Sequence, residues 1–130
     1  MNTALYVMMK KVIIVGLNPA KDNWKSPKKA QTIQRLEKWC NLMGVQYHSF
    51  INCIDDAGDY NQLKANFKQL EECTQGYDKV IALGNYASMC LKKINVKHFK
   101  MPHPSPRNRK LNDKNFENQI VEECRQYLES

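Results

Sequence analysis

Short apolar runs alternate with amphipathic segments along this chain, and the alternation constrains the fold more than any other feature. The runs span residues 11–15, 45–54, 79–83 and 96–100. The first and third, KVIIV and KVIAL, are continuous apolar stretches rich in β-branched residues, which predicts buried strands. Strands that alternate with helices form parallel sheets with helices on both faces. The sequence therefore predicts an α/β three-layer sandwich with a four-stranded parallel sheet, in a single domain of residues 1–130.

Capping residues predict where the helices begin. Ser26 and Pro27 resemble an N-cap followed by the first helical residue. Asp59 and Gln62 have the spacing of a capping box, and Asp113 precedes the last apolar repeat. The predicted helices run from Pro27 to Gly44, from Asp59 to Gly76, from Tyr86 to Lys93, and onward from Asp113.

The N-terminal segment and the cysteines indicate the cellular compartment. Residues 1–10 are expected to form a flexible extension or an extra edge strand. They lack the basic segment and cleavage pattern of a secretory signal and are too short to span a membrane. The five cysteines are widely spaced without a C-x-x-C pair, which favours reduced thiols and argues against a metal site. We expect a monomer without a cofactor, not secreted, in the cytoplasm, or in the host-cell cytoplasm or nucleus for a viral or eukaryotic source.

The net charge of +7 is concentrated in two stretches. Residues 92–110 contain seven Lys or Arg and no acid. A second cluster, Lys21, Lys25, Lys28 and Lys29, is opposed only by Asp22. Such localised charge favours a polyanionic partner, DNA or RNA, over lysines that only keep the surface soluble.

Four polar or Gly-rich stretches follow the predicted strands. They span residues 16–20, 52–58, 84–86 and 101–109. Because ligands bind beyond the carboxyl ends of parallel strands, these stretches predict one functional face. The last stretch carries three of the five prolines around His103 and Ser105. Proline restricts its own φ and extends the residue before it, so this stretch is predicted to be a stiff loop.

The motifs in these stretches resemble the uracil-DNA glycosylase superfamily. GLNPA follows the first strand, Asn52 ends the second, ALGNYA spans the end of the third, and HPSP follows the fourth. The resemblance covers about Val12 to Lys110. It implies a uracil-DNA glycosylase-like fold and hydrolysis of the N-glycosidic bond of uracil, or a related pyrimidine, in DNA.

The resemblance also implies roles for particular residues. Asn18 matches the residue that positions the attacking water, and His103 matches the donor to uracil O2 as the bond breaks. Asn52 matches the asparagine that recognises the base edge, and either Phe50 or Trp24 would stack on the base. The remaining base-pocket residues are Gly16, Leu17, Pro19 and Ala20.

The HPSP motif continues into a segment that matches the family's DNA-gripping loop. Arg107 stands where most relatives have an apolar leucine, so this loop would insert a cation. The predicted DNA contacts are Ser105, Pro106, Arg107, Asn108, Arg109 and Lys110, together with Lys21, Lys25 and Lys28.

Two alternatives to a glycosylase remain open at the level of sequence. Asp55 and Asp56, also beyond a strand end, would serve another nucleotide hydrolysis as general base or metal ligands, although neighbouring strand residues point in opposite directions. The other alternative is a catalytically weak or inactive DNA-binding protein with the same fold.

Overall fold

The computed structural model describes residues 10–17, 27–54 and 64–130. Within these residues, no helix is both long and apolar enough to cross a bilayer. The side chains of residues 27–30 lie outside the description, as do the predicted capping residues Ser26, Asp59 and Gln62.

The described chain alternates strands and helices in the predicted order. The strands are β1 (Val12–Gly16), β2 (Ser49–Asn52), β3 (Lys79–Leu83) and β4 (Phe99–Met101). The helices are α1 (Pro27–Met43), α2 (Phe67–Thr74), α3 (Asn85–Lys93) and α4 (Lys114–Glu129), with a 3₁₀ helix at Arg109–Asn112. All strand pairs are parallel, and the sheet order is β2-β1-β3-β4. The predicted α/β class and parallel four-stranded sheet are confirmed.

The two faces of β1 contribute to two separate cores. Val12 and Ile14 pack with apolar side chains of α1 and α4. Ile13 and Val15 pack with those of α2 and α3 on the opposite face. Successive strand side chains point to opposite faces, so a continuous apolar strand requires helices on both sides. The result is a three-layer sandwich.

Two predicted strands begin later than expected. Gly44 ends α1 at φ +78°, and the Val45 N–H donates to the Cys40 carbonyl at 2.9 Å. Val45 therefore completes the helix cap, and β2 starts at Ser49 instead of Val45. The fourth strand likewise starts at Phe99, since the Val96 N–H completes the cap of α3 by donating to Leu91 at 2.9 Å.

The helix boundaries agree with the prediction at α1, α3 and α4 and differ at α2. Asp113 accepts from the N–H groups of Asn115 and Phe116, as expected of an N-cap. The predicted start at Asp59 lies outside the described residues, but the prediction of a helix through residues 64–66 is wrong. The described α2 begins at Phe67, where Asn66 Oδ1 accepts from the Gln69 N–H at 3.1 Å.

The strand order creates a topological switch point at the carboxyl edge of the sheet. The chain passes from β1 outward to β2 and then returns across β1 to β3. The strand that follows β1 in the chain and the strand that follows β3 lie on opposite sides of the sheet, and ligands bind at such a switch point in folds of this class. Of the four predicted functional stretches, the described residues 16–17, 52–54, 84–86 and 101–109 lie at this edge.

A buried carboxylate links α4 to α1. Glu117 is 3% exposed, and the Trp39 indole N–H donates to its Oε2 at 3.1 Å. Arg35 and Lys114 each place a nitrogen 3.4 Å from a carboxylate oxygen. Burial opposes ionisation of Glu117, but the hydrogen bonds from Trp39 and Lys114 and the charges of Lys114 and Arg35 outweigh it and lower its pKa.

Replacing Glu117 by alanine should lower the free energy of unfolding by about 2–4 kcal/mol, because the buried Trp39 N–H loses its acceptor. Glu117→Gln keeps an acceptor oxygen and should lose less. The pKa of Glu117 is lowered in the folded state, so the carboxylate's contribution is present above pH ~4.5 and disappears as pH falls through the folded-state pKa. Urea unfolding at several pH values measures both effects; equal losses in the two variants at neutral pH would contradict the acceptor role.

Candidate active site at the carboxyl edge of the sheet

Gly16 lies between two side chains of the neighbouring strand. It pairs with Asn52 in the parallel register of β1 and β2. A Cβ atom at Gly16 would lie 2.7 Å from Asn52 Oδ1 and 2.7 Å from Phe50 Cζ. Both distances are too short for any carbon atom, so only glycine fits while those side chains keep their positions.

The Phe50 ring and the Asn52 amide consequently form a pair beside bare backbone. Phe50 is 49% exposed, although it is a large apolar residue, and Asn52 is half-buried. An exposed ring offers a stacking surface, and an amide offers both a donor and an acceptor. These are two of the groups predicted for base binding, and the fold brings them together.

Pairing between β1 and β2 continues beyond the end of the strands. The Cys53 N–H donates to the Gly16 carbonyl at 3.0 Å, and the Ile54 N–H donates to the Leu17 carbonyl at 2.9 Å. Cys53 and Ile54 are buried against the α2 and α3 layer. The backbone before and after Asn52 is therefore held by pairing with β1 and the residue that follows it.

His103 follows β4 and is fixed by its own loop. Pro104, the next residue, is fully buried, and Leu111 at the far end of the loop is 1% exposed. Asn108 spans the interior, where its Nδ2 donates to the His103 carbonyl at 3.1 Å and its N–H donates to the Ser105 carbonyl at 3.0 Å. The predicted stiff loop is thus anchored in the core at both ends.

The hydrogen bonds of His103 determine its tautomer. The Ser105 N–H donates to Nδ1 at 3.2 Å, so Nδ1 carries a lone pair and the proton of the neutral ring is on Nε2. Burial lowers the pKa of His103 below its ordinary value, which keeps the ring neutral at physiological pH. The side chain therefore presents a fixed N–H donor.

Gly84 supports the His103 ring from β3. It adopts φ +91°, a conformation that favours glycine, and its N–H donates to the Met101 carbonyl at 2.8 Å. A Cβ atom at Gly84 would lie 3.5 Å from His103 Cβ, an ordinary van der Waals distance, so the positive φ is what favours glycine at this position. Gly84 therefore lies beside His103, immediately before α3.

The residues predicted to contact DNA differ in whether their side chains already form hydrogen bonds within the loop. Arg107, Arg109 and Lys110 are exposed, as is Pro106. Ser105 Oγ accepts from the Arg107 N–H at 3.2 Å, and Asn108 Oδ1 accepts from the Lys110 N–H at 3.2 Å. The serine and asparagine therefore shape the loop, and the cations project from it.

Several predicted residues lie outside the described part of the chain. These are Asn18, Pro19, Ala20, Lys21, Trp24 and Lys25, and also Asp55 and Asp56 of the rival hydrolase hypothesis. Lys28 lies in the first turn of α1.

Two polar clusters were missed by the sequence analysis. Glu117 lies on the buried stripe of α4 with Val121, Cys124 and Leu128. An acidic residue on an otherwise apolar stripe is visible in the sequence and could have identified this cluster. Ser88 Oγ and His98 Nε2 lie 2.7 Å apart across α3 and the approach to β4, and no local sequence signal predicts that contact.

The cysteines show no sign of a reactive or metal-binding role. All five are free thiols, and four are buried. Burial raises the pKa of Cys40 to about 11 and that of Cys124 to about 12, so both stay protonated and unreactive. Among the described residues, no group of three or more His, Cys, Asp or Glu has a metal-binding arrangement.

Comparisons with protein-family models, curated proteins and solved structures found no match for this chain. The resemblance to glycosylases therefore depends on the four sequence motifs alone. The described geometry covers Phe50, Asn52, Gly84 and the His103 loop.

Gly16→Ala should lower the free energy of unfolding by about 1–3 kcal/mol, because the new methyl group overlaps Phe50 and Asn52. Removing the ring with Phe50→Ala should relieve part of the overlap. The two substitutions should therefore couple by more than ~0.5 kcal/mol in a double-mutant cycle measured by urea unfolding. Strict additivity would show that the ring does not contact this glycine.

The His103 ring should titrate below pH ~6.5, and above its pKa only Nε2 should carry a proton. Protonation adds a hydrogen to Nδ1 and expels the Ser105 N–H, so the Ser105 amide resonance should shift with the same midpoint. Two-dimensional ¹H–¹⁵N NMR of the imidazole and the backbone measures both changes. A proton on Nδ1 of the neutral ring would overturn the tautomer assignment.

Proposed function

We propose that this protein is a DNA glycosylase that hydrolyses the N-glycosidic bond of uracil, or a related pyrimidine, in DNA. The observation that carries the proposal is the neutral His103 ring, fixed by its loop with a donor at Nε2. His103 follows β4 at the carboxyl edge of the sheet, the same edge at which Asn52 ends β2. The motifs that resemble the uracil-DNA glycosylase superfamily supply the substrate class. The parallel sheet and the switch point between β1 and β3 support the same assignment.

A flipped base would lie at the carboxyl edge of the sheet, between Asn52 and His103. Asn52 ends β2 and His103 follows β4, and these strands are three strand intervals apart, or about 14 Å. A flat pyrimidine between them would place its face on Phe50 and its edge toward Asn52. An amide that both donates and accepts matches the N3–H and O4 groups of uracil, whereas an exposed aromatic ring stacks on any base.

His103 would act on the leaving group. Hydrolysis of the glycosidic bond leaves negative charge on the departing base, and a donor already in position stabilises that charge without reorganisation. A neutral imidazole does this without transferring its proton. Asn18, by the resemblance, would orient the water that attacks the sugar carbon.

The base must leave the duplex before it can reach this edge. Enzymes that act on a base extrude it from the stack, and the cost of unstacking is a few kcal/mol. The exposed loop that carries Arg107, Arg109 and Lys110 is anchored by Pro104 and Leu111, so it is suited to press on the duplex. Arg107 would fill the vacated space with a cation that contacts bases and phosphates.

Incubation with oligonucleotides that contain U:G, U:A or single-stranded uracil, followed by alkali, should produce cleavage at the uracil. His103→Ala should reduce the single-turnover rate by about 10²- to 10³-fold, because the transition state loses a fixed donor. Phe50→Ala should weaken substrate binding by about 5- to 150-fold through loss of stacking.

Matched controls separate these effects from general damage to the protein. His48→Ala removes an exposed imidazole and Tyr47→Ala an exposed aromatic ring, both outside the predicted site, so both quantities should stay unchanged. Tight, salt-sensitive DNA binding without product on any substrate would support the inactive DNA-binding alternative instead. Activity that survives His103→Ala but is lost in Asp55→Ala or Asp56→Ala would overturn the site assignment.

A further inference from the structure

A basic groove lies along β4, outside the predicted active site. Its cavity volume is about 500 Å³. We call it the lysine groove and define it by Ser88, Lys92, Lys97, His98 and Lys100, which all line it. None of these residues belongs to the predicted base pocket or to the predicted DNA contacts.

The floor of the lysine groove is rigid and already hydrogen-bonded. The Val96 carbonyl can only accept, so His98 Nδ1, 2.8 Å away, carries a proton and donates to it. The lone pair on His98 Nε2 then accepts the Ser88 hydroxyl proton at 2.7 Å. Because the polar groups of Ser88 and His98 are already hydrogen-bonded, the ammonium groups of the lysines are the ones that can bind a ligand in the lysine groove.

The three lysines are available for an anionic ligand. Lys92, Lys97 and Lys100 are exposed, and in the described part of the chain none of them forms an ion pair. Lys93, next to Lys92, instead lies 5.7 Å above the Phe67 ring. The groove therefore concentrates three positive charges without a compensating carboxylate.

The lysine groove continues toward the His103 loop. Lys100 Nζ donates to Asn85 Oδ1 at 3.1 Å, at the carboxyl edge of the sheet. His103 is six positions after Lys97, so their backbones are at most about 21 Å apart. One strand of a B-form duplex advances 3.4 Å per nucleotide, so this distance corresponds to about six nucleotides.

We propose that the lysine groove binds the sugar–phosphate backbone of the nucleic acid about three to six nucleotides from the extruded base. The inference rests on the proposed function for the position of that base. A run of phosphates fits better than a single anion, because the positive charge extends without an acid from the groove to Arg107, Arg109 and Lys110. Contacts of this kind add affinity and set the register without recognising sequence.

The test compares two variants that each remove three positive charges. Lys92→Gln, Lys97→Gln and Lys100→Gln together neutralise the groove. Lys11→Gln, Lys64→Gln and Lys68→Gln neutralise exposed lysines elsewhere and form the matched control. Binding to a 20-base-pair duplex with a central uracil is measured by fluorescence anisotropy from low to physiological salt.

The groove variant should bind the duplex at least about 10-fold more weakly at low salt, and its plot of log affinity against log salt should be shallower by about 2–3. The control variant should change that slope by less than about 1. Two shortened duplexes, each with only two base pairs on one side of the uracil, locate the contact. The difference in affinity between wild type and groove variant should disappear for one of them and persist for the other. Equal slopes for the two variants would overturn the proposal.

Base release is measured in parallel so that the two proposals can fail separately. At saturating substrate, the groove variant should release uracil at the wild-type rate, because none of the three lysines belongs to the predicted base pocket. If no protein releases uracil but the salt slopes differ as expected, the glycosylase proposal fails and the groove is supported. If uracil is released and the slopes are equal, the groove proposal fails alone.

Discussion

The candidate site depends on the close approach of β1 and β2 at Gly16. The missing side chain there lets the Phe50 ring and the Asn52 amide lie against the backbone of a central strand. Any larger residue would displace one of them. Because β1 is buried on both faces and paired on both edges, it cannot move to accommodate such a change. The positions of Phe50 and Asn52 are therefore set by the core.

His103 obtains its geometry differently, from local chain chemistry. Two prolines flank it, Asn108 bonds to its carbonyl, and the Ser105 N–H selects its tautomer. Apart from the burial of Pro104 and the proximity of Gly84, this arrangement does not depend on residues far away in the sequence. The positions of Phe50 and Asn52 thus depend on sheet register, and the position of His103 depends on hydrogen bonds within its own loop.

The sequence predicted the class of the fold, because it follows from local periodicity, and the strand ends led to the edge where the candidate site is proposed. It could not predict that Val45 and Val96 would cap helices instead of extending strands, since caps depend on where neighbouring strands stop. It offered Phe50 and Trp24 equally for stacking; the Phe50 ring is exposed close to Asn52, and Trp24 lies outside the described residues. The pairs Trp39–Glu117 and Ser88–His98 join residues on different elements, and local patterns do not record such contacts.

Because β4 lies at the margin of the sheet, the lysines near it have a second effect. In the described part of the chain, β4 has one strand neighbour, β3, so its outer backbone groups have no strand partner there. An open strand edge allows a second copy of the chain to add a strand, and lysines oppose that addition by charge repulsion. Neutralising Lys97 and Lys100 would therefore favour edge-to-edge self-association. The charges that are proposed to bind a polyanion would thus also oppose self-association.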